Sequence, residues 1–304
     1  SYATYVKDRY TGFDGDSPRN APADLKEFPG FLKRLADDGG TPKYARPMCV
    51  GEVKSRGQGE LEKDIANLKA GMAQHGAERG FMNAVFGWMA AGLSITGAVA
   101  WYFATSGAIM LLFNETGGMN MLGWMVMLGP LAFILAMNFG LQRMSASTLT
   151  LLFVAFSAVM GASLSSIFLV YTGSSIMQVF GITAGTFLVM AIVGYTTSTD
   201  LSRFGSLLFM ALIGILIAMV VNWFLASSAL DYAISVAGVL IFTGLIAYDT
   251  QKLKRIAAGV EYGSETGRKL ALLGATSLYL DFINLFLFLL RLLCSATPQI
   301  VVCD

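Results

Sequence analysis

Two acids stand where acids are costly. Asp281 lies inside the apolar run LYLDFINLFLFLL (278–290), and Asp249 closes another, FTGLIAYDTQ (242–251). A charge at the centre of a membrane-spanning helix costs about 2.5–3.5 kcal/mol on insertion scales, so an acid there marks a candidate site. With a turn near 258–268, a rise of about 1.5 Å per residue puts Asp249 about 14 Å and Asp281 about 20 Å from that turn. On antiparallel neighbouring helices the two carboxylates then reach similar levels and can face each other. Two acids sharing a dry site cannot both ionise cheaply, so they titrate as one unit. Such a pair can hold one shared proton, or bind a hard cation such as Ca²⁺ when ionised. Either behaviour makes the site sensitive to pH.

Plainer accounts stand beside this one. Asp249, one turn from Lys252, can be a solvated acid at a membrane boundary. Asp281 can be a hydrogen-bond node satisfied by Asn284 or Tyr279. Asn138 and Asn222 read as interhelical hydrogen bonds or, with Asn284, as polar groups lining a path. Arg143 marks a helix end, or a latch reaching to the acids.

The elements that carry these residues are apolar and long. A spanning helix needs about 20 mostly apolar residues. Seven stretches qualify: 81–104, 121–141, 147–171, 176–195, 204–225, 229–248 and 270–293. Only Pro130 falls inside one. A β-barrel would show alternating strands of about 10 residues instead, so an all-α bundle of seven transmembrane helices is expected. Spans three and four are rich in small residues, including Gly161, Ser165, Gly181, Gly185 and Gly194. Small residues let helices approach closely in lipid, and tight packing is the expectation for nearly all of them; Gly181-x-x-x-Gly185 fits a dimerisation motif only as a weak pattern.

Basic residues alternate between links. Arg79 precedes span one, Arg143 follows span two, and Arg203 follows span four. Lys252, Lys254, Arg255, Arg268 and Lys269 lie between spans six and seven, and the other links hold no Lys or Arg. The positive-inside rule places the N-terminus in the cytoplasm and the C-terminus on the far side, as expected of an integral protein of a bacterial inner membrane.

Composition narrows the function classes. Of 304 residues, 55% are hydrophobic and 13% charged; a soluble domain averages roughly 25% charged. A net charge of +1 argues against nucleic acid as a partner, because duplex binding needs a clustered basic face. Three Cys without C-x-x-C spacing and a single His argue against a zinc site or histidine chemistry. No enzyme and no resident cofactor are expected. The average conceals a split, since residues 1–80 hold 25 of the 41 charges. The chain therefore reads as a soluble segment (1–80), a membrane domain (81–294) and a tail (295–304). The first apolar run begins near Phe81, too late for a signal peptide, so none is expected.

The runs FGSLLFMALIGI (204–215), IFTGLIAYDTQ (241–251) and SLYLDFINLF (277–286) resemble the Bax inhibitor-1, or transmembrane Bax-inhibitor-motif, family over about residues 82–292. The resemblance implies seven helices with the seventh surrounded by the other six. It implies a pH-sensitive calcium leak, with the family's paired aspartates at Asp249 and Asp281 and its latch arginine at Arg143. The partners implied are the bilayer, calcium ions and protons. An alternative reading is a non-transporting regulator that binds a membrane protease or cell-death proteins. Family members end in a basic tail, whereas this chain ends in CSATPQIVVCD (294–304).

The first eighty residues read as soluble α/β, with helical patterns at 24–36 and 59–73 and a short strand at 47–53. The runs ARPMCVGEV (45–53), DIANLKA (64–70) and AERGFMNA (77–84) are similar to a stretch of cobalamin-independent methionine synthase-like barrels. A barrel needs about 250 residues, and neither Cys49 nor His75 falls on that family's zinc-ligand motif. No catalytic residue is carried over. The segment reads as a fused fragment or as a cytoplasmic module with a new packing partner.

Overall fold

The computed structural model describes residues 58–114, 118–140, 143–260 and 263–295. The chain divides into two compact units, 1–76 and 77–304. The described part of the first unit, 58–76, is helical. The helix expected at 24–36 and the strand expected at 47–53 lie outside the described residues, and no strand occurs among the described ones. The expected break between a soluble helix at 59–73 and a span starting at 81 is not seen. One helix, α1 (Gln58–Thr105), runs through both.

Six more helices follow: α2 (Met121–Gly140), α3 (Ala146–Leu164), α4 (Gly173–Thr196), α5 (Ser202–Leu225), α6 (Ser228–Gly259) and α7 (Glu265–Ser295). Seven of the described helices are long and apolar enough to cross a membrane, as expected from the sequence. In lipid every backbone polar group needs an internal partner, so helices are the form these apolar runs can take. The helix starts are written locally. Ser145, Thr172 and Ser227 accept hydrogen bonds from the backbone N–H groups of Thr148 (3.2 Å), Ser175 (3.4 Å) and Leu230 (3.4 Å). Each satisfies a donor that a helix N-terminus leaves free. Between α5 and α6 the chain turns on Ala226 in the left-handed region (φ 48°), and the Asn222 side chain accepts from Ser227 N–H at 3.1 Å.

α7 is the central element. It packs against α3, α4 and α6. In its apolar stretch 56% is buried, against 11–33% in the other six spans. It is the most buried of the seven spans, but the expectation that all six others surround it is met, among the described residues, only by α3, α4 and α6 and, through Tyr279, α1. A polar knot ties it in. Tyr279 of α7 shares a hydrogen bond with Thr96 of α1 at 2.6 Å, and Thr96 donates to the Ser157 carbonyl of α3 at 2.9 Å. Phe153 and Phe156 pack around the Tyr279 ring, with centroids at 6.4 and 5.2 Å. Both hydroxyls are buried, and a buried hydroxyl is tolerated when it is bonded.

Small residues set the tightest crossings, but not all those expected. A Cβ at Gly161 would meet the Thr96 carbonyl at 2.6 Å, and one at Gly194 would meet the Ala247 carbonyl at 2.3 Å. Gly181 and Gly185 are exposed and have nothing within 4 Å of a Cβ, so tight packing does not account for them. They lie on the outward face of α4, whereas the inward face of that helix carries Val179, Thr183 and Phe187.

Gly194→Val forces the α4 and α6 backbones apart, and overpacking of this kind costs about 1–3 kcal/mol. Thermal unfolding in detergent should show a lowered midpoint for Gly194→Val and an unchanged one for Gly181→Ala. A wild-type midpoint in Gly194→Val would contradict the close α4–α6 crossing.

Candidate functional site

The α6 turn 247–251 is wedged by its neighbours. Gly194 of α4 presses on the Ala247 backbone, and Gly205 of α5 receives the Tyr248 ring, which a Cβ there would meet at 2.4 Å. α6 does not stop at its last apolar residue. It continues through Lys252, Lys254 and Arg255 to Gly259, while α7 begins at Glu265. Asp249 is therefore well inside a helix, about 15 Å from its end, and half-buried.

On α7, Asp281 is 7% exposed. Its Oδ2 is buried and has no hydrogen-bond partner among the described residues. The expected satisfiers are engaged elsewhere. Asn284 donates to the Leu280 carbonyl at 2.8 Å, and the Tyr279 hydroxyl goes to Thr96. The hydrogen-bond-node account of Asp281 is therefore corrected: i+3 places Asn284 near Asp281 along the helix, but an amide one turn from a backbone carbonyl bonds that carbonyl first. The two acids that the sequence singles out thus lie on α6 and α7, two helices that pack against each other.

The other sequence candidates are not brought to this pair. Asn138 is exposed on α2 and donates back to the Ile134 carbonyl at 2.9 Å. Asn222 closes the α5–α6 turn. Asn138, Asn222 and Asn284 are thus bonded locally, within a helix or its cap, rather than between helices. Arg143 is exposed in the turn after α2, and its backbone N–H bonds the Gly140 carbonyl at 2.9 Å. Among the described residues the ion pairs are Arg255–Asp200, Lys269–Glu265 and Arg291–Asp231. The Arg143 latch is not formed in this conformation.

Two carboxylates offer up to four oxygens, while Ca²⁺ takes 6–8 oxygen ligands. No group of three His, Cys, Asp or Glu occurs among the described residues. A calcium ion at this pair would complete its shell with water or backbone carbonyls, which suits weak, passing binding better than permanent residence. Residues 1–57, with Cys49, lie outside the described residues, and the side chain of His75 is likewise not described.

The structure adds groups that sequence reading passed over. Gln251, 6% exposed, accepts from the Leu201 N–H at 2.9 Å and donates to the Thr199 carbonyl at 2.8 Å. Arg255 reaches Asp200 and Ser202. Lys254 donates to the Tyr195 carbonyl at 2.9 Å and lies 4.7 Å over its ring, and the Tyr195 hydroxyl faces Glu78 at 3.5 Å. Together they fasten the end of α6 to the α4–α5 link. The only sequence signal was a dense run of polar residues after the sixth apolar stretch.

Comparison with known proteins locates the matching part. A family profile described as "Inhibitor of apoptosis-promoting Bax1" matches residues 78–297. "Inner membrane protein YbhL" of Escherichia coli K12 is 49% identical over 214 residues, covering 70% of this chain and 90% of that protein. A Rickettsia prowazekii protein is 42% identical over 215 residues, covering 71% and 89%. A Caulobacter vibrioides protein is 41% identical over 235 residues, covering 75% and 93%.

The acid of the clamp on the α4–α5 link, Asp200, does not titrate near neutrality. The Ser202 backbone N–H bond and the Arg255 guanidinium hold Asp200 at about 2, below the ordinary 3.8. An acid depressed in the folded state stabilises above its unfolded value and loses that contribution as pH falls through the folded one. Asp200→Asn should lower the unfolding midpoint by the same small amount across about pH 5 to 8. The difference should shrink between about pH 4 and 2. A difference that grows or vanishes within the neutral range would contradict the assignment.

Proposed function

The chain belongs to the Bax inhibitor-1 family, and we propose that it is a pH-sensitive calcium leak pathway gated by protonation of Asp249 and Asp281. One observation carries the reading most. Asp281 stands near the middle of the most buried helix with an unpartnered carboxylate oxygen, within electrostatic reach of a second acid. A lone buried charge is too costly to keep without a compensating proton, cation or partner. The pair supplies that compensation in two exchangeable forms. With one shared proton it carries a single negative charge, and without it the pair is a dianionic oxygen site for a hard cation.

Several features support the setting. Seven spanning helices and an inner-membrane relative in Escherichia coli favour a bacterial inner membrane. The basic links favour a cytoplasmic N-terminus. In that orientation the turn between α6 and α7 is cytoplasmic, and the acids are reached from the cytoplasm past Lys252. No resident cofactor is needed, and the spans hold no His for acid–base catalysis, so the proposed activity is conduction, not an enzymatic reaction. Arg143 can act as a latch only in a conformation other than this one.

Calcium flux into dye-loaded proteoliposomes, read across about pH 6 to 8, tests the proposal. Wild type should conduct with a rate that changes with pH. Asp249→Asn and Asp281→Asn should flatten that dependence and weaken half-saturation by Ca²⁺ about tenfold or more, since each removes one of two carboxylates. Wild-type behaviour in both variants would reject the acid pair. Absence of flux from pure vesicles, with a stable co-purifying membrane protein, would replace the reading with that of a regulator.

A further inference from the structure

The end of α6 carries a device that the acid-pair reading does not use. Gln251 is buried two residues beyond Asp249, and both ends of its amide are engaged by backbone of the α4–α5 link, Leu201 N–H at 2.9 Å and Thr199 carbonyl at 2.8 Å. Residues two apart on a helix do not share a face. Gln251 therefore grips the link on one side of the turn, while Asp249 projects from another. The same turn is held from α4 at Ala247 by Gly194 and from α5 at Tyr248 by Gly205. A two-ended amide bond adds what those apolar contacts lack, because hydrogen bonds are directional and fix rotation as well as distance.

We infer that Gln251 is a positioning residue: by clamping the α4–α5 link from the opposite side of the turn, it fixes the rotation of α6 at which the Asp249 carboxylate meets Asp281. This rests on the acid pair as the cation site. The charged groups around the turn are few. α7 presents Asp281, and α6 itself carries Lys252. α4 contains no charged residue, and α5 has only Arg203, exposed in its first turn. Lys254 is committed to Tyr195, and Arg255 to Asp200, to Ser202 and to the Gln251 Oε1 itself. Among these groups, Gln251 is the only neutral side chain of the turn that holds the link at two points.

The inference separates geometry from charge. A cation held by two carboxylates on two helices depends on their mutual placement, and misplacement of about 1 Å is enough to weaken a preorganised site strongly. Losing the clamp should therefore loosen cation binding without removing either acid.

The test is Ca²⁺ binding to the full-length protein, purified in detergent and titrated calorimetrically with Ca²⁺ alone. Gln251→Met keeps volume and helix propensity but removes both bonds to the link, together with the one that Gln251 accepts from Arg255. Leu201→Pro removes only the N–H that Gln251 accepts from, at a residue whose φ of −81° suits proline. Both variants should keep the wild-type stoichiometry and raise Kd about fivefold or more, or about 1 kcal/mol. Leu201→Pro checks the result if Gln251→Met unfolds. Wild-type Kd in both variants, while Asp249→Asn loses saturable binding, would overturn the role of Gln251 and leave the acid pair standing. A weakened Gln251→Met beside an unaltered Leu201→Pro would overturn clamping through the link. Saturable binding that survives in Asp249→Asn and Asp281→Asn, or its absence from wild type, would overturn the acid-pair reading and this inference with it.

Discussion

The cost of an acid inside an apolar helix governs this molecule. Asp281 is surrounded by Tyr279, Phe282, Leu285 and Phe286, all buried, and those neighbours cannot solvate a charge. Removing a carboxylate from water costs several kcal/mol even after relaxation. α6 packs along α7 and carries both Lys252, whose ammonium opposes that cost, and Asp249, a like charge that adds to it until a proton or cation neutralises it. A central α7, an α6 that extends past its apolar stretch, and glycine contacts that let α4 and α5 close on α6 form the frame around these groups.

The polar features divide the interior into two kinds of site. The Tyr279–Thr96–Ser157 knot is fully bonded and joins α1, α3 and α7. It fixes packing. Two residues further along α7, Asp281 leaves Oδ2 without a partner. A satisfied network rigidifies, whereas an unsatisfied buried group is held at a cost that only a ligand or proton relieves. This contrast within one helical turn separates a bonded polar position from an unbonded one more firmly than hydropathy does.

Much of this was legible in the residues themselves. Apolar length alone located seven spans, because a bilayer leaves the backbone no alternative to the helix. Asp249 and Asp281 stood out in the sequence because charge is so rare in the spans. The asparagines misled, since an amide one turn from its own backbone carbonyl finds a local partner before an interhelical one, as Asn138 and Asn284 do. Gly181 and Gly185 misled because pattern does not say which face of α4 meets a neighbour. The α4–α5 clamp was not legible at all. Gln251 and Thr199 are 52 positions apart, and neither composition nor periodicity links a glutamine to a backbone carbonyl at that separation.

The central claim is that Asp249 and Asp281 act as one unit across two helices. A double-mutant cycle on calcium flux tests it most directly, comparing Asp249→Asn, Asp281→Asn and the double variant under one pH and calcium gradient. Residues acting as a unit are strongly non-additive, so the double variant should lose no more flux than the more severe single variant. Losses that multiply in the double variant would show two independent acids and contradict the account.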